Sequence, residues 1–215
     1  RTTLLLCTGL SFAIAYKGGL FNIGAQGQFV LGSLATTVVV LALAPLAPTG
    51  VAGGALLVSA GVLAGCVVGG LYGLLPGFLK VQYDTNEVIT TLLLNFIATA
   101  VAFVLVDRYF NDETVQGTAT ESIPDVATLD PRVFPQGSEF SLPVFVLALV
   151  VVGLFFYLLT RTTIGYDIQS VGTQPKAAAF GGVSERFTTL FSMTLAGVVA
   201  GLGGAIFILM VLGRW

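Results

Sequence analysis

Three carboxamide side chains, Asn22, Gln26 and Gln28, lie in the stretch Gly19-Leu20-Phe21-Asn22-Ile23-Gly24-Ala25-Gln26-Gly27-Gln28, between apolar runs at residues 3–16 and 29–46. A carboxamide is uncharged and both donates and accepts hydrogen bonds, so these groups suit a neutral hydrophilic solute or a neighbouring helix. Buried in hydrocarbon without partners, each amide would cost about 2–7 kcal/mol. The glycines among them make a poor helix interior. Polar, non-helical backbone at membrane depth is tolerated where protein or a water-filled cavity surrounds it. The stretch is therefore expected to be a break beside a pathway. Asn22 and Gln26 are four apart, as are Gly24 and Gln28, so a helix here would put each pair on one face. Hydrogen bonding between helices at a kink and the lining of a solute path both fit this pattern.

A fourth amide, Asn95, sits inside the apolar run 88–106. An Asn in such a run either bonds across to another helix or contacts solute. Ahead of that run, Asp84-Thr85-Asn86-Glu87 offers Asp84 as a helix cap, with Glu87 reaching back from the third position at the positive end of the helix dipole. Histidine is absent, which removes the commonest metal ligand and the commonest general base. Cys7 and Cys66 lie in separate apolar runs and are expected as small core residues, not as a disulfide or metal site. No G-x-x-x-x-G-K-[ST] occurs, so the chain is not expected to bind ATP through a P-loop. Neither an enzyme nor a resident metal or cofactor is expected.

The elements that must position these amides are membrane spans. The 215 residues are 55% hydrophobic and 9% charged, against about 25% charged in a soluble domain. Six apolar segments run over residues 3–16, 29–46, 51–78, 88–106, 142–159 and 187–212. The expected fold is all-α, a polytopic transmembrane bundle forming one domain over residues 1–215, with the short first segment a broken or re-entrant element. Arg1 abuts one apolar run and Gly213-Arg214-Trp215 closes another, so the chain is expected to be cut at both ends. Gly61, Gly65, Gly69 and Gly73 recur every four residues in the third segment, a smooth stripe that lets another helix approach closely or that lines a pore. Gly197, Gly201 and Ala205 repeat the pattern in the last segment.

Two hydrophilic regions separate the spans. Residues 107–141 hold seven acidic residues and two arginines, a net charge of −5. Residues 161–186 carry mixed charge. Alternation and the positive-inside rule put 161–186 on the cytoplasmic side and 107–141 outside. Within the inner loop, Thr173 is expected to cap a short helix, with Pro175 in its first turn, Ala177, Ala178 and Ala179 filling it and Gly181 or Gly182 ending it. A short, weakly charged helix between two spans suits docking onto a cytoplasmic partner.

These segments in this order resemble the permease subunits of ABC importers of the branched-chain amino acid and ribose-type class, nearest the simple-sugar and nucleoside branch. The family pattern G-L-F-N-I-G-A-E-G-Q is similar to residues 19–28, with Gln26 where Glu is usual. N-E-V-I-x-T-L-x-L-N-x-I-A is similar to residues 86–98, covering Glu87 and Asn95. G-x-x-x-x-A-V-G-x-N-P-x-A-A-x-x-x-G-I resembles residues 165–183, with Ser170 for Ala, Gln174 for Asn and Val183 for Ile. The resemblance implies a multi-pass subunit of the plasma membrane that moves a nucleoside or simple sugar. Asn22, Gln26, Gln28 and Asn95 would be its pathway candidates, and Gln26 in place of Glu argues for a neutral solute. It also implies a cytoplasmic ATP-binding subunit that carries ATP and Mg, a second permease subunit (identical or paralogous) and an external substrate-binding lipoprotein. Thr173, Pro175, Ala178, Ala179 and Gly181 would form the helix that seats in the ATPase. The acidic outer loop fits either docking of the binding protein or a high-salt source. Membrane lipid is expected around the spans and no nucleic acid is expected as a partner. A stand-alone secondary transporter or channel is the competing reading. It would want a titratable group deep in a span, and no Asp, Glu, Lys or Arg lies in the middle of any segment.

Overall fold

The computed structural model describes residues 2–128 and 142–215, so residues 129–141 of the expected outer loop, with Asp130, Arg132 and Glu139, lie outside the described residues. The described residues form eight α-helices: α1 (Thr2–Lys17), α2 (Ala25–Leu43), α3 (Val51–Tyr83), α4 (Glu87–Leu105), α5 (Leu142–Arg161), α6 (Thr163–Thr173), α7 (Pro175–Phe180) and α8 (Glu185–Phe207). All six apolar segments are helical. Four helices (α2, α3, α4 and α8) are long and apolar enough to cross a membrane singly. A fifth crossing counts only if α5 and α6, bent by 73° at their junction, are taken as one broken span. With 16 residues, α1 is about 24 Å long, short of the roughly 30 Å hydrocarbon core.

The core is the packing of α2 and α3 on α8, with α1 on the flank of α8 and α4 against α2. Between two helices in lipid the hydrophobic effect is weak, and close van der Waals contact drives association. The glycine stripe supplies that contact. A methyl group on Gly69 would lie 2.5 Å from the Gly197 carbonyl oxygen, and one on Gly73 2.5 Å from that of Met193. Gly65 faces Thr36, Gly201 and Ala205, while Gly61 faces Thr36 and Val40. One stripe therefore serves two partners: α2 along its first half and α8 along its second. Thr36 ties the first contact, its hydroxyl donating to the Gly61 carbonyl at 2.9 Å. Tyr72 ties α3 to α4 by donating to the Leu94 carbonyl at 2.7 Å.

Helix α3 runs antiparallel to α8, so the Tyr83 end of α3 and the Glu185 end of α8 share one end of the bundle with α7. At the opposite end the chain after α4 folds over the bundle. Ile123 and Ala127 are buried there against Val40, Leu57, Ile208 and Leu209. Thr120 N–H donates to the Trp215 carbonyl at 2.7 Å, and Ile123 N–H donates to that of Gly213 at 2.7 Å. The described part of the acidic segment is thus a strap laced to the chain after α8.

Cys7 is buried in the α1–α8 core, with Cys66 packed beside it, and both are free thiols. The turn before α4 departs from the sequence expectation. Asn86, not Asp84, caps the helix, its side-chain oxygen accepting from Val88 N–H at 2.9 Å and Ile89 N–H at 3.3 Å. Asp84 instead ends α3 in a left-handed conformation, φ 51°, which short polar residues tolerate. Glu87 does not reach back to a cap. It pairs with Lys80 at 2.9 Å, joining the two helices of the hairpin.

Candidate functional site: the break between α1 and α2

Helix α1 ends where its glycines allow the chain to reverse. Gly19 has φ +74°, the left-handed region in which a side chain is strained. Leu20 N–H reaches back to the Ala15 carbonyl at 3.0 Å, and Gly19 N–H to that of Tyr16 at 3.0 Å. The link then alternates: Leu20 and Asn22 are buried, Phe21 and Ile23 exposed. Phe21 folds back on α1, its ring centroid 6.1 Å from that of Phe12 and 5.8 Å from that of Tyr16.

The amides beyond this turn satisfy one another. The Asn22 Nδ2 donates to Gln28 Oε1 at 3.0 Å, and Gln28 Nε2 donates back to Asn22 Oδ1 at 3.2 Å. Both residues are 1% exposed. Asn95 fastens the break to α4. Its Oδ1 accepts from Gly27 N–H at 2.8 Å, and its Nδ2 donates to the Ile23 carbonyl at 2.9 Å. Two of the backbone groups that the break leaves open are thus met by one side chain, as burial demands. Gly24 and Gly27 make room for α4: a methyl on Gly24 would lie 3.1 Å from Thr91, and one on Gly27 3.0 Å from Ala98.

The structure brings together Asn22, Gln28 and Asn95 but not Gln26. Because α2 begins at Ala25, Asn22 precedes the helix and meets Gln28, and the helical pairing of Asn22 with Gln26 does not form. Gln26 points outward and is exposed.

The loop between α5 and α8 holds more helix than its sequence announced. Thr162 starts α6, its hydroxyl accepting from Gly165 N–H at 3.2 Å. Thr173 does not cap α7. It is the last residue of α6 and donates back to the Gln169 carbonyl at 2.8 Å, while Gln174 occupies the cap position. Pro175 opens α7, and Gly181 with Gly182, the latter at φ +84°, ends it. Ala178 is 7% exposed and faces the protein, whereas Phe180 is 94% exposed. A groove of about 510 Å3 runs between α6 and α7, bordered by Tyr166, Gln169, Gln174, Ala177 and Val183. Phe180 escaped the sequence reading; an apolar ring next to Gly181 at the end of a short amphiphilic turn was the available signal.

The family model for the permease component of branched-chain amino acid transport systems matches residues 1–215. The chain belongs to this permease family. Among curated relatives, it is 31% identical to a nucleoside ABC transporter permease of Lactococcus lactis, over 94% of this chain and 56% of that protein. It is 33% identical to a glucose ABC transporter permease of Haloferax volcanii, over 95% of this chain and 54% of that protein. It is 29% identical to a guanosine ABC transporter permease of Bacillus subtilis, over 95% of this chain and 57% of that protein. The chain spans about half the length of these relatives. No solved structure matches it.

The break between α1 and α2 is thus a frame of bonded amides with one exposed side. Asn95 holds the backbone in place, and Asn22 and Gln28 are bonded to each other. Phe21, Ile23 and Gln26 are the side chains of the same stretch left facing out. The break also touches the segment between α5 and α8: the backbone at Gly19 lies against that at Gly172 of α6.

Proposed function

We propose that the chain is part of the permease subunit of an ATP-driven importer that carries a neutral, ring-bearing hydrophilic solute, a nucleoside or simple sugar, across the plasma membrane. The observation that carries this reading is the contact of Gly19 with Gly172, which joins a polar break in the bundle to the loop bearing α7. A cytoplasmic ATPase would hold ATP and Mg and grip α7 and the adjoining groove, with Pro175, Ala179 and Gly181 shaping the helix and Phe180 as its anchor. Aromatic side chains that fill a partner's pocket dominate the energy of such interfaces. Movement of α6 would then be felt directly at the break. Gln26, Phe21 and Ile23 face the solute path in this scheme, and Asn22, Gln28 and Asn95 keep its shape. A second permease subunit completes the path, and an external binding lipoprotein delivers solute to the end that carries the strap. Gln26 in place of the family's Glu supports a neutral solute, and the low charge of the spans supports an ATP-driven carrier over an ion-coupled one, which would want a titratable group at depth.

The test is uptake by the full-length protein in liposomes, with and without its ATPase and with ATP inside or absent. Nucleoside or glucose uptake is expected only with the partner and ATP. Transport by the permease alone would make it a stand-alone carrier and overturn the proposal.

A further inference from the structure

Beyond the break, the sole tryptophan of this sequence, Trp215, has no part in the scheme above. It closes a cavity of about 320 Å3 walled by Phe29, Phe207, Ile208 and Leu212, with Ser33 and Thr118 at its polar points. The Phe29 and Phe207 rings stand 5.5 Å apart between centroids, tilted by 45°. The indole N–H donates to Ser33 Oγ at 2.9 Å, and the Ser33 hydroxyl in turn donates to the Val30 carbonyl at 2.7 Å. This chain of bonds fixes the plane of the indole. The Trp215 backbone is held as well, its N–H donating to Thr120 Oγ1 at 3.0 Å.

Two features set this cavity apart from a lipid-filled crevice. It takes Thr118 from the hydrophilic strap, so its mouth reaches the aqueous rim of the bundle. Three of its six apolar walls, Phe29, Phe207 and Trp215, are rings, and rings offer flat faces to a flat partner. A volume near 300 Å3 is at the small end of ligand pockets.

We propose that this cavity is a solute site on the outer side of the break, that it takes a planar heterocycle by stacking on Trp215, Phe29 and Phe207, and that the attached sugar remains at the mouth beside Thr118. The proposal rests on the import reading and narrows its solute class to nucleosides over simple sugars. The walls have little left with which to bond sugar hydroxyls, since the Ser33 hydroxyl is already engaged on both sides. A base needs only a face, and stacking on aromatic side chains is sequence-tolerant and strong.

The experiment uses the assembled full-length transporter in nanodiscs. The emission of Trp215 is isolated as the difference between the parent and Trp215→Phe. Guanosine should quench that difference signal saturably, and glucose should leave it unchanged. In uptake assays Trp215→Ala should raise KM for guanosine about 10-fold, the scale of one lost stacking contact. Trp215→Phe should stay near the parent. A difference signal indifferent to guanosine, or an unchanged KM in a correctly assembled Trp215→Ala transporter, would overturn the site. So would quenching by brominated lipid that guanosine does not relieve, which would make the cavity an acyl-chain crevice. Saturable quenching by guanosine without ATP-dependent uptake would uphold the site and sink only the import reading.

Discussion

Gly19 of the break and Gly172 of α6 meet backbone to backbone. A methyl group on Gly172 would run into the Lys17 carbonyl and lie 2.8 Å from the Gly19 nitrogen; one on Gly19 would lie 3.0 Å from the Gly172 Cα. No side chain mediates this contact, so any displacement of α6 must displace the turn at the end of α1 or break away from it. In the proposed import cycle, this contact is where an event at α7 reaches the amide frame.

Gly172→Ala should therefore separate ATP hydrolysis from transport. Overpacking of this kind costs about 1–3 kcal/mol, enough for a tenfold or greater loss of a coupled rate. ATPase activity and uptake should be measured side by side in the same liposomes. Uptake is expected to fall about 10-fold while hydrolysis persists; a parallel loss of both would mean that the contact only supports folding.

The Asn22–Gln28 pair is suited to a double-mutant cycle. Asn22→Leu and Gln28→Leu should each lower the thermal midpoint in detergent, because each strands a buried amide at a cost of about 1–3 kcal/mol. The double variant should recover part of the loss, with a coupling of about 0.5–3 kcal/mol. Strict additivity would show that the two amides do not depend on each other in the folded protein.

Phe180 can be tested by pull-down with the ATPase. Phe180→Ala should weaken association at least tenfold, the scale of an interface anchor worth about 2 kcal/mol, while membrane insertion stays normal. Ala178→Asp should act differently. Ala178 is buried within this chain, so a carboxylate there should loosen the α6–α7 segment itself and increase its protease sensitivity. Undiminished association of Phe180→Ala would remove it from the interface.

Gly69→Leu should unseat α3 from α8. The stripe leaves no room for even a methyl group beside Gly197 and Gly201, and overpacking cannot relax where both walls are backbone. The expected outcome is loss of the folded monomer by size-exclusion chromatography. Gly153→Leu on α5, where nothing lies within 4 Å, is the matched control and should elute like the parent.

Much of the fold was legible because its signals are local. Long apolar runs bounded by charge must become helices in a membrane, where every backbone group needs an internal partner. A glycine every four residues must form one stripe, whatever packs on it. Pro175 and the glycines at 181 and 182 mark the ends of α7 in the sequence itself. The amide stretch likewise announced a break, because polar groups and glycines cannot continue an apolar span.

Tertiary structure decided the rest. Asn22 and Gln26 share a helical spacing, yet the helix starts at Ala25 and Asn22 turns to Gln28. That choice depends on α4, where Asn95 captures Ile23 and Gly27 across more than sixty intervening residues. Asn86 took the cap that Asp84 also offered, because the hairpin needed Asp84 to end α3. Thr173 lost its capping role when α6 grew into the loop between α5 and α8. Sequence by itself determined that this chain is a helical membrane protein with a polar, glycine-rich break and a short helix between its last two apolar runs. Only the packing of distant helices decided which amides are spent and which side chains remain open, because a hydrogen bond in a membrane goes to whichever partner the fold brings within about 3 Å.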